Sequence, residues 1–376
     1  KKQNMKKKSL SAKKKIHKSL LKHLKNKRIN KIFKEFKYIL DFFLKRKTDN
    51  LLSKQSKFAV AVSGGPDSLA LVFLSKCFLL KNKTNSNIKF FIVDHKLRNE
   101  SSREARSLKK FLIKFDIKSD ILEWKGRKPT SNIQAIARKH RYDLIKKACK
   151  KNKITNLLTG HHKDDLYENF FIRMLRGSGL KGLISFADLS INLEDNFRIL
   201  RPLIKIQKKE LIYISKSVFN FFVNDPSNEN LGFQRSRIRK LILDLENEGL
   251  DKKKLDLTIN NLKSADSVIK IYVEKNIKNN AKYLINRNKY ILNQKFFTSQ
   301  ANEVVFRSFS EILKKVSGKY YPPRGTKIKD AISKCMFSYY KEKSEIKSIR
   351  ASDIKFTLGG CYIERINQTV IISKEK

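Results

Sequence analysis

Acidic residues are scarce in this chain: 35 Asp and Glu stand against 85 Lys and Arg in 376 residues, a formal net charge of +50. A surplus of that size repels itself unless a polyanion or counterions neutralise it, so nucleic acid is the expected partner and an anionic membrane the competing one. The joint abundance of Lys, Asn, Ile and Phe is also what AT-rich coding produces, so charge alone does not decide between them. Long apolar runs are missing as well: no stretch approaches the roughly 20 residues that span a bilayer, and the charged start leads into no apolar h-region or small-residue cleavage site. The expectation is a soluble, cytoplasmic protein without a membrane segment. Cysteine is sparse, with Cys77, Cys149, Cys335 and Cys361 far apart and no C-x-x-C pair, which argues against a zinc ribbon or a disulfide framework.

The length favours two or three domains. Residues 1–49 hold nineteen Lys or Arg and three acidic residues and read as a basic N-terminal extension. Within it Ile29, Ile32, Phe33, Phe36, Ile39, Leu40 and Phe43 recur at helical spacing. Such a helix either docks on the core or offers itself to RNA or a membrane surface. From Phe58 onward short apolar runs alternate with amphipathic stretches, which predicts strands at Phe58–Val62, Ile88–Val93, Ser119–Glu123 and Asn156–Thr159 with helices between them, the pattern of a parallel α/β sheet. This domain is expected over 50–245, followed by a helical linker at 246–300 that would touch RNA and a small α+β module at 301–376.

The sharpest motif is Ser63-Gly64-Gly65-Pro66-Asp67-Ser68, set between the first strand and an apolar helix. Glycines admit a phosphate close to the backbone, and a helix N-terminus offers unpaired N–H groups and a positive dipole. A Walker A lysine is absent, which disfavours γ-phosphate transfer of that type. Asp67 beside phosphates requires a bridging cation such as Mg²⁺; otherwise Asp67 and Ser68 merely cap the helix. Val93-Asp94-His95-x-Leu97-Arg98 follows the second strand, at the edge where open parallel sheets bind ligands. Gln134, Arg138 and Arg141 share one face of a predicted helix. Gly160-His161-His162-x-Asp164-Asp165-x-x-Glu168 joins histidines to three carboxylates, readable as a transition-metal site or as an oxygen-rich magnesium and phosphate site. Arg176-Gly177-Ser178-Gly179 suits a lid or a plain connector, and Asp225-Pro226-Ser227-Asn228 marks a turn before the cluster Arg235, Arg237 and Arg239.

The first motif resembles the PP-loop of the N-type ATP pyrophosphatases. In this order, with Arg201-Pro202-Leu203 added, the motifs over Phe58–Arg239 resemble the tRNA(Ile)-lysidine synthetases, and Tyr321-Pro322-Pro323-Arg324 and Thr357-Leu358-Gly359-Gly360-Cys361 look like the C-terminal part of some members. Glu168-Asn169 departs from the family's E-T, and Arg235-Ser236-Arg237-Ile238-Arg239 from its R-N-x-I-R. The resemblance implies an adenine nucleotide alpha hydrolase-like fold and a carbon–nitrogen ligase that adenylates the wobble cytidine of a tRNA(Ile) with a CAU anticodon and then adds free L-lysine. It implies ATP on Ser63, Gly64, Gly65, Pro66, Asp67 and Ser68 with Asp94, His95, Arg138 and His161, and Mg²⁺ on Asp67. Asp67, Asp165, Glu168 and Arg235 are the expected catalytic residues, with Arg239 as an alternative to Arg235. A homodimer is compatible with this reading. Another PP-loop enzyme, such as a tRNA thiolase, or a non-catalytic basic RNA-binding protein are the rival readings.

Overall fold

A computed structural model describes residues 2–45, 57–82, 88–126, 129, 131, 133–187, 190–192, 197–223, 231–319, 321–336 and 354–375. The chain divides into two compact units, Lys1–Leu250 and Asp251–Lys376. The first begins with two helices, α1 (Lys2–Lys22) and α2 (Lys27–Lys45), joined by a 3₁₀ turn. It continues β1 (Phe58–Val62), α3 (Pro66–Lys81), β2 (Ile88–Asp94), α4 (Ser101–Ile113), β3 (Ser119–Glu123), α5 (Ile133–Lys151), β4 (Asn156–Leu158) and α6 (Lys163–Leu175). It ends with α7 (Leu180–Ile184), β5 (Ser190–Asn192), β6 (Arg198–Leu200), α8 (Lys208–Phe219) and α9 (Gln234–Asn247).

The strands form one sheet in the order β3-β2-β1-β4-β6-β5, parallel except for the antiparallel edge strand β5. The parallel α/β expectation holds. In β1 the period of two assigns faces: Phe58, Val60 and Val62 enter a large core shared with α1–α4 and α8, while Ala59 and Ala61 enter a second core with Ile145 and Cys149 of α5. Covered on both faces, the central strand reads as a continuous apolar run. The chain leaves β1 toward β2 on one side and reaches β4 on the other, so β1 and β4 flank the topological switch, where the carboxyl ends of strands open a crevice.

The basic extension is part of this core. Ile29, Phe33, Phe36 and Leu40 are buried in the cluster that holds α3 and β1. Polar contacts fix its ends: Arg28 donates to both carboxylate oxygens of Glu210 at 2.6 and 2.9 Å and lies over the Tyr213 ring, and His17 and Lys76 share Asp116. Of the sequence alternatives for this helix, docking on the core is what the structure displays.

The second unit consists of α10 (Lys252–Asn280), β7 (Ala281–Leu284), β8 (Lys289–Leu292), α11 (Lys295–Thr298), α12 (Asn302–Ser317), α13 (Gly325–Cys335), β9 (Ile354–Leu358), β10 (Cys361–Ile366) and β11 (Thr369–Lys374). Its sheet, β7-β8-β11-β10-β9, is antiparallel, and its core gathers Phe296, Phe309, Leu313 and Ile363. Residues 246–300 and 301–376 were separated on sequence grounds, yet β8 pairs with β11 (Leu292 opposite Val370) and Asn276 of α10 donates to Phe296 O and Ser308 Oγ. The structural division therefore falls between Leu250 and Asp251. Among the described residues no helix is long and apolar enough to cross a membrane.

Replacing Phe36, 1% exposed, with Ala is expected to cost about 3–5 kcal/mol, as aromatic truncations in cores do. Urea denaturation measures it, and an unchanged midpoint would mean that the extension is not part of the folded core.

Candidate active site

The carboxyl end of β1 runs into the glycine loop, and α3 starts at Pro66, where a missing N–H costs nothing. Gly64 has φ +84, and a Cβ there would stand 3.2 Å from Leu108 and Val223 side-chain carbons, so glycine is required on both counts. The loop is tied internally: Ser68 Oγ donates to Gly65 O at 2.9 Å and accepts from Ser63 N at 3.2 Å, while Leu69 N reaches Gly65 O at 3.0 Å. From outside, Val223 N donates to Gly64 O at 3.0 Å and Ser215 Oγ to Pro66 O at 2.6 Å.

The neighbouring strand end, after β4, carries the histidine–carboxylate segment. Gly160 comes so close that a Cβ would sit 3.2 Å from the Asp67 carbonyl carbon and 3.3 Å from Ser68 N. That contact sets His162 against the loop, with its Nε2 3.4 Å from Asp67 Oδ2 and 3.6 Å from Asp165 Oδ2. Asp165 also accepts the His162 backbone N–H at 3.1 Å, and Asp164 accepts the Lys208 N–H at 2.8 Å, fastening α6 to the start of α8. Burial opposes protonation of His162, but Asp67, Asp165 and Asp164 outweigh it and raise its pKa.

One turn along α6, Glu168 is buried, which raises its pKa against the pull of Arg239, whose Nε donates to Oε1 at 2.6 Å. Arg239 in turn is raised: burial works against its charge, and Glu168 more than offsets that. Arg235, one turn earlier on α9, acts on both Glu168 and His161 through its charge.

His161 points to a different environment from His162. Its Nδ1 lies 2.9 Å from Thr159 Oγ1, whose hydroxyl reaches Leu200 O at 3.3 Å, and its ring meets Phe186 edge-on. Burial, together with the charges of Arg138, Arg201 and Arg235, holds its pKa well below the usual range, so it is neutral. If the Thr159 hydroxyl donates to Leu200 O, His161 Nδ1–H donates to Thr159 and Nε2 is left as an acceptor.

After β2, Asp94 spends its carboxylate locally. It accepts from Lys96 N at 3.0 Å, Ser101 Oγ at 2.8 Å and Ser102 Oγ at 2.5 Å; burial pushes its pKa up, and these donors bring it below the ordinary value. Asp94 thus shapes the β2–α4 loop, and its backbone carbonyl accepts from Trp124 N at 2.9 Å. His95 accepts from Arg141 Nε at 3.0 Å and is driven down to about 4, by burial first and Arg141 second. Arg138 leans over Tyr142. Asp225-Pro226-Ser227-Asn228 lies outside the described residues.

The acidic residues fit a magnesium ion. Asp67 Oδ1 is buried without a hydrogen-bond partner, an oxygen of the kind a hard cation takes. Among the described residues no group of three or more His, Cys, Asp and Glu forms a cage of its own. His162, Gly160 and Arg201 stand in the sequence motifs without an individual role there; the structure gives His162 and Gly160 their places against Asp67 and Arg201 its place near His161.

A glycine loop and an acid cluster facing each other across the switch of a parallel sheet define a PP-loop nucleotide-binding domain, and the family described as "PP-loop domain" matches residues 24–246. Curated tRNA(Ile)-lysidine synthases align more widely. That of Orientia tsutsugamushi is 34% identical over 330 residues, covering 85% of this chain and 70% of that protein. That of Rickettsia bellii is 32% identical, with the same coverages of 85% and 70%. The Rhodopseudomonas palustris protein is 39% identical over 197 residues, 52% of this chain and 56% of that one. The chain belongs to the tRNA(Ile)-lysidine synthase family. Among solved structures, the U34-tRNA thiolase NcsA from Methanococcus maripaludis with its 4Fe-4S cluster shares the fold, with a TM-score of 0.50 and 20% identity over 62% of this chain and 78% of that one.

The raised His162 generates a pH test. Its charge contributes stability in full below its ordinary value of 6.5, and that contribution is lost as pH rises through the higher folded value. The stability gap between wild type and His162→Gln in urea should be wider at about pH 6 than at about pH 9; equal gaps would mean that the ring does not titrate against Asp67 and Asp165.

Proposed function

We propose that the chain is a cytoplasmic ATP-dependent ligase that joins free L-lysine to carbon 2 of the wobble cytidine of a tRNA(Ile) with a CAU anticodon, releasing AMP and pyrophosphate. The observation that carries this reading is the meeting of the Ser63–Ser68 loop with the His162, Asp165, Glu168 and Arg239 cluster in a member of this family. In the first step the carbonyl oxygen at carbon 2 attacks the α-phosphorus of ATP, the bond to the bridging oxygen breaks, and pyrophosphate leaves. In the second the lysine amine attacks carbon 2 and AMP departs with the oxygen.

The loop and the start of α3 bind and orient the phosphates through backbone N–H groups and the helix dipole. Arg138, Arg201 and Arg235, set around the neutral His161, attract the phosphate oxygens, while His161 Nε2 is an acceptor for a donor of the nucleotide. Asp67 would hold a Mg²⁺ ion, which when bound would supply positive charge against the departing pyrophosphate. Arg235 stabilises charge developing in the transition state. Asp165 and Glu168 receive the lysine ammonium and take its proton, since an amine with a pKa of roughly 10.4 is otherwise charged. Burial raises the pKa of Glu168, which makes its carboxylate draw the proton more strongly. In this reading Arg239 holds Glu168 in place until the substrate amine competes for it.

The cysteines disfavour a thiolase. All four are buried, and burial pushes the thiols of Cys77, Cys149 and Cys335 up to about 12 and that of Cys361 to about 11. Thiols so held do not supply the thiolate that sulfur chemistry requires.

Incubation with tRNA(Ile) transcript, ATP and labelled lysine should yield labelled tRNA together with AMP and pyrophosphate. Asp67→Ala should lower tRNA-dependent ATP–pyrophosphate exchange by about 10²-fold or more, the scale of losing one electrostatic group in a reaction centre. Glu168→Gln should accumulate adenylated tRNA while lysine transfer falls. Pyrophosphate release that does not require tRNA would contradict the reading.

A further inference from the structure

The outer face of α1 holds lysines with no acidic counterpart. Lys14, Lys18 and Lys22 are exposed and recur one helical turn apart, and among the described residues none has an acidic partner. The α1 sequence contains no Asp or Glu at all. Like charges at this spacing work against a helix by a few tenths of a kcal/mol per pair. Elsewhere the chain offsets such charges, as with Lys37 and Asp41 on α2 or Arg307 and Glu303 on α12. An isolated stripe of this kind is what a polyanion neutralises.

The opposite faces of α1 and α2 exclude the usual membrane mode. An amphipathic helix enters a lipid interface with its apolar side, and here Leu20, Leu24, Ile29, Ile32, Phe33 and Phe36 are buried against the domain. What remains outward is mostly basic with a few small polar residues, and the exposed large apolar side chains, Tyr38 and Phe42, lie farther along α2. The hairpin is also fixed relative to the nucleotide loop. His23 meets Phe73 and Phe36 meets Phe78, both on α3, the helix whose first turn is the glycine loop. A phosphate held by α1 is thus held at a set place with respect to that loop.

We propose that the Lys14, Lys18 and Lys22 face of α1 binds the phosphate backbone of the tRNA, forming a docking surface on the nucleotide-binding unit itself. The inference rests on the reading that tRNA is the substrate. The contact is sequence-independent: it raises affinity and orients the RNA while the catalytic groups remain those of the site above.

The test compares the full-length wild type with the Lys14→Gln, Lys18→Gln, Lys22→Gln triple variant. All three positions are exposed, so thermal unfolding should be unchanged. Each phosphate contact contributes about 0.7–0.9 to the slope of log affinity against log salt, so the variant should lose about 2–3 from that slope and bind tRNA roughly tenfold more weakly at moderate salt. The KM for tRNA should rise correspondingly, with kcat at saturating tRNA and the KM for ATP unchanged. Equal affinity and slope in the two proteins would overturn the proposal, as would unchanged tRNA binding with loss of binding to phosphatidylserine vesicles. If lysine transfer runs and the slopes match, the docking surface alone fails. If the slope difference is present but no lysine is transferred, the surface stands and the proposed reaction fails.

Discussion

The close approach of two backbones, at Gly160 and at Asp67–Ser68, governs the site. The sheet brings the ends of β1 and β4 side by side, but neighbouring strands alone leave room for side chains between the segments that follow them. With no Cβ at Gly160, the chain after β4 settles against the first turn of α3, and His162 arrives at Asp67. The start of α6 follows from that contact, and with it Asp165 and Glu168. The reacting groups are thus arranged by a point of contact between two loops and less by the helices that carry them.

The charge pattern follows a similar economy. Asp67, Asp164 and Asp165 surround His162, while Glu168 has Arg239, so the negative charge held beside the phosphate-binding loop is only partly offset by the protein's own cations. Arg138, Arg201 and Arg235 act on His161 through their charge, and it stays neutral. Adjacent histidines therefore experience opposite fields. Removing one partner of such a group leaves a buried charge that the rest of the cluster must absorb.

Much of this was legible in the sequence. The strand–glycine–helix junction at Phe58–Leu69 shows because three local signals coincide there, and the α/β order shows because apolar runs alternate with helical periods. The distinction between His161 and His162 was not legible: at the entrance to a helix adjacent side chains diverge, and tertiary contacts choose which faces the loop. Arg235 and Arg239 lie one turn apart on α9, so the spacing does not tell which one grips Glu168. The role of Gly160 depends on residues more than 90 positions away in the chain, and the pairing of β8 with β11 likewise joins distant segments. The stripe on α2 was visible as a pattern, but its partner, α3, could not be read from it.

The oxygens of the glycine loop complete the account of how it treats anions. The carbonyls of Gly64, Gly65 and Pro66 are each taken by a donor: Val223 N, Leu69 N with Ser68 Oγ, and Ser215 Oγ. Three successive backbone acceptors that would repel a phosphate are therefore masked by the protein's own hydrogen bonds, and of the loop's anionic groups only the Asp67 carboxylate remains. Because those bonds are made within the chain itself, the cost of ordering the loop is met when the chain folds, and a ligand that binds there keeps its full attraction to it.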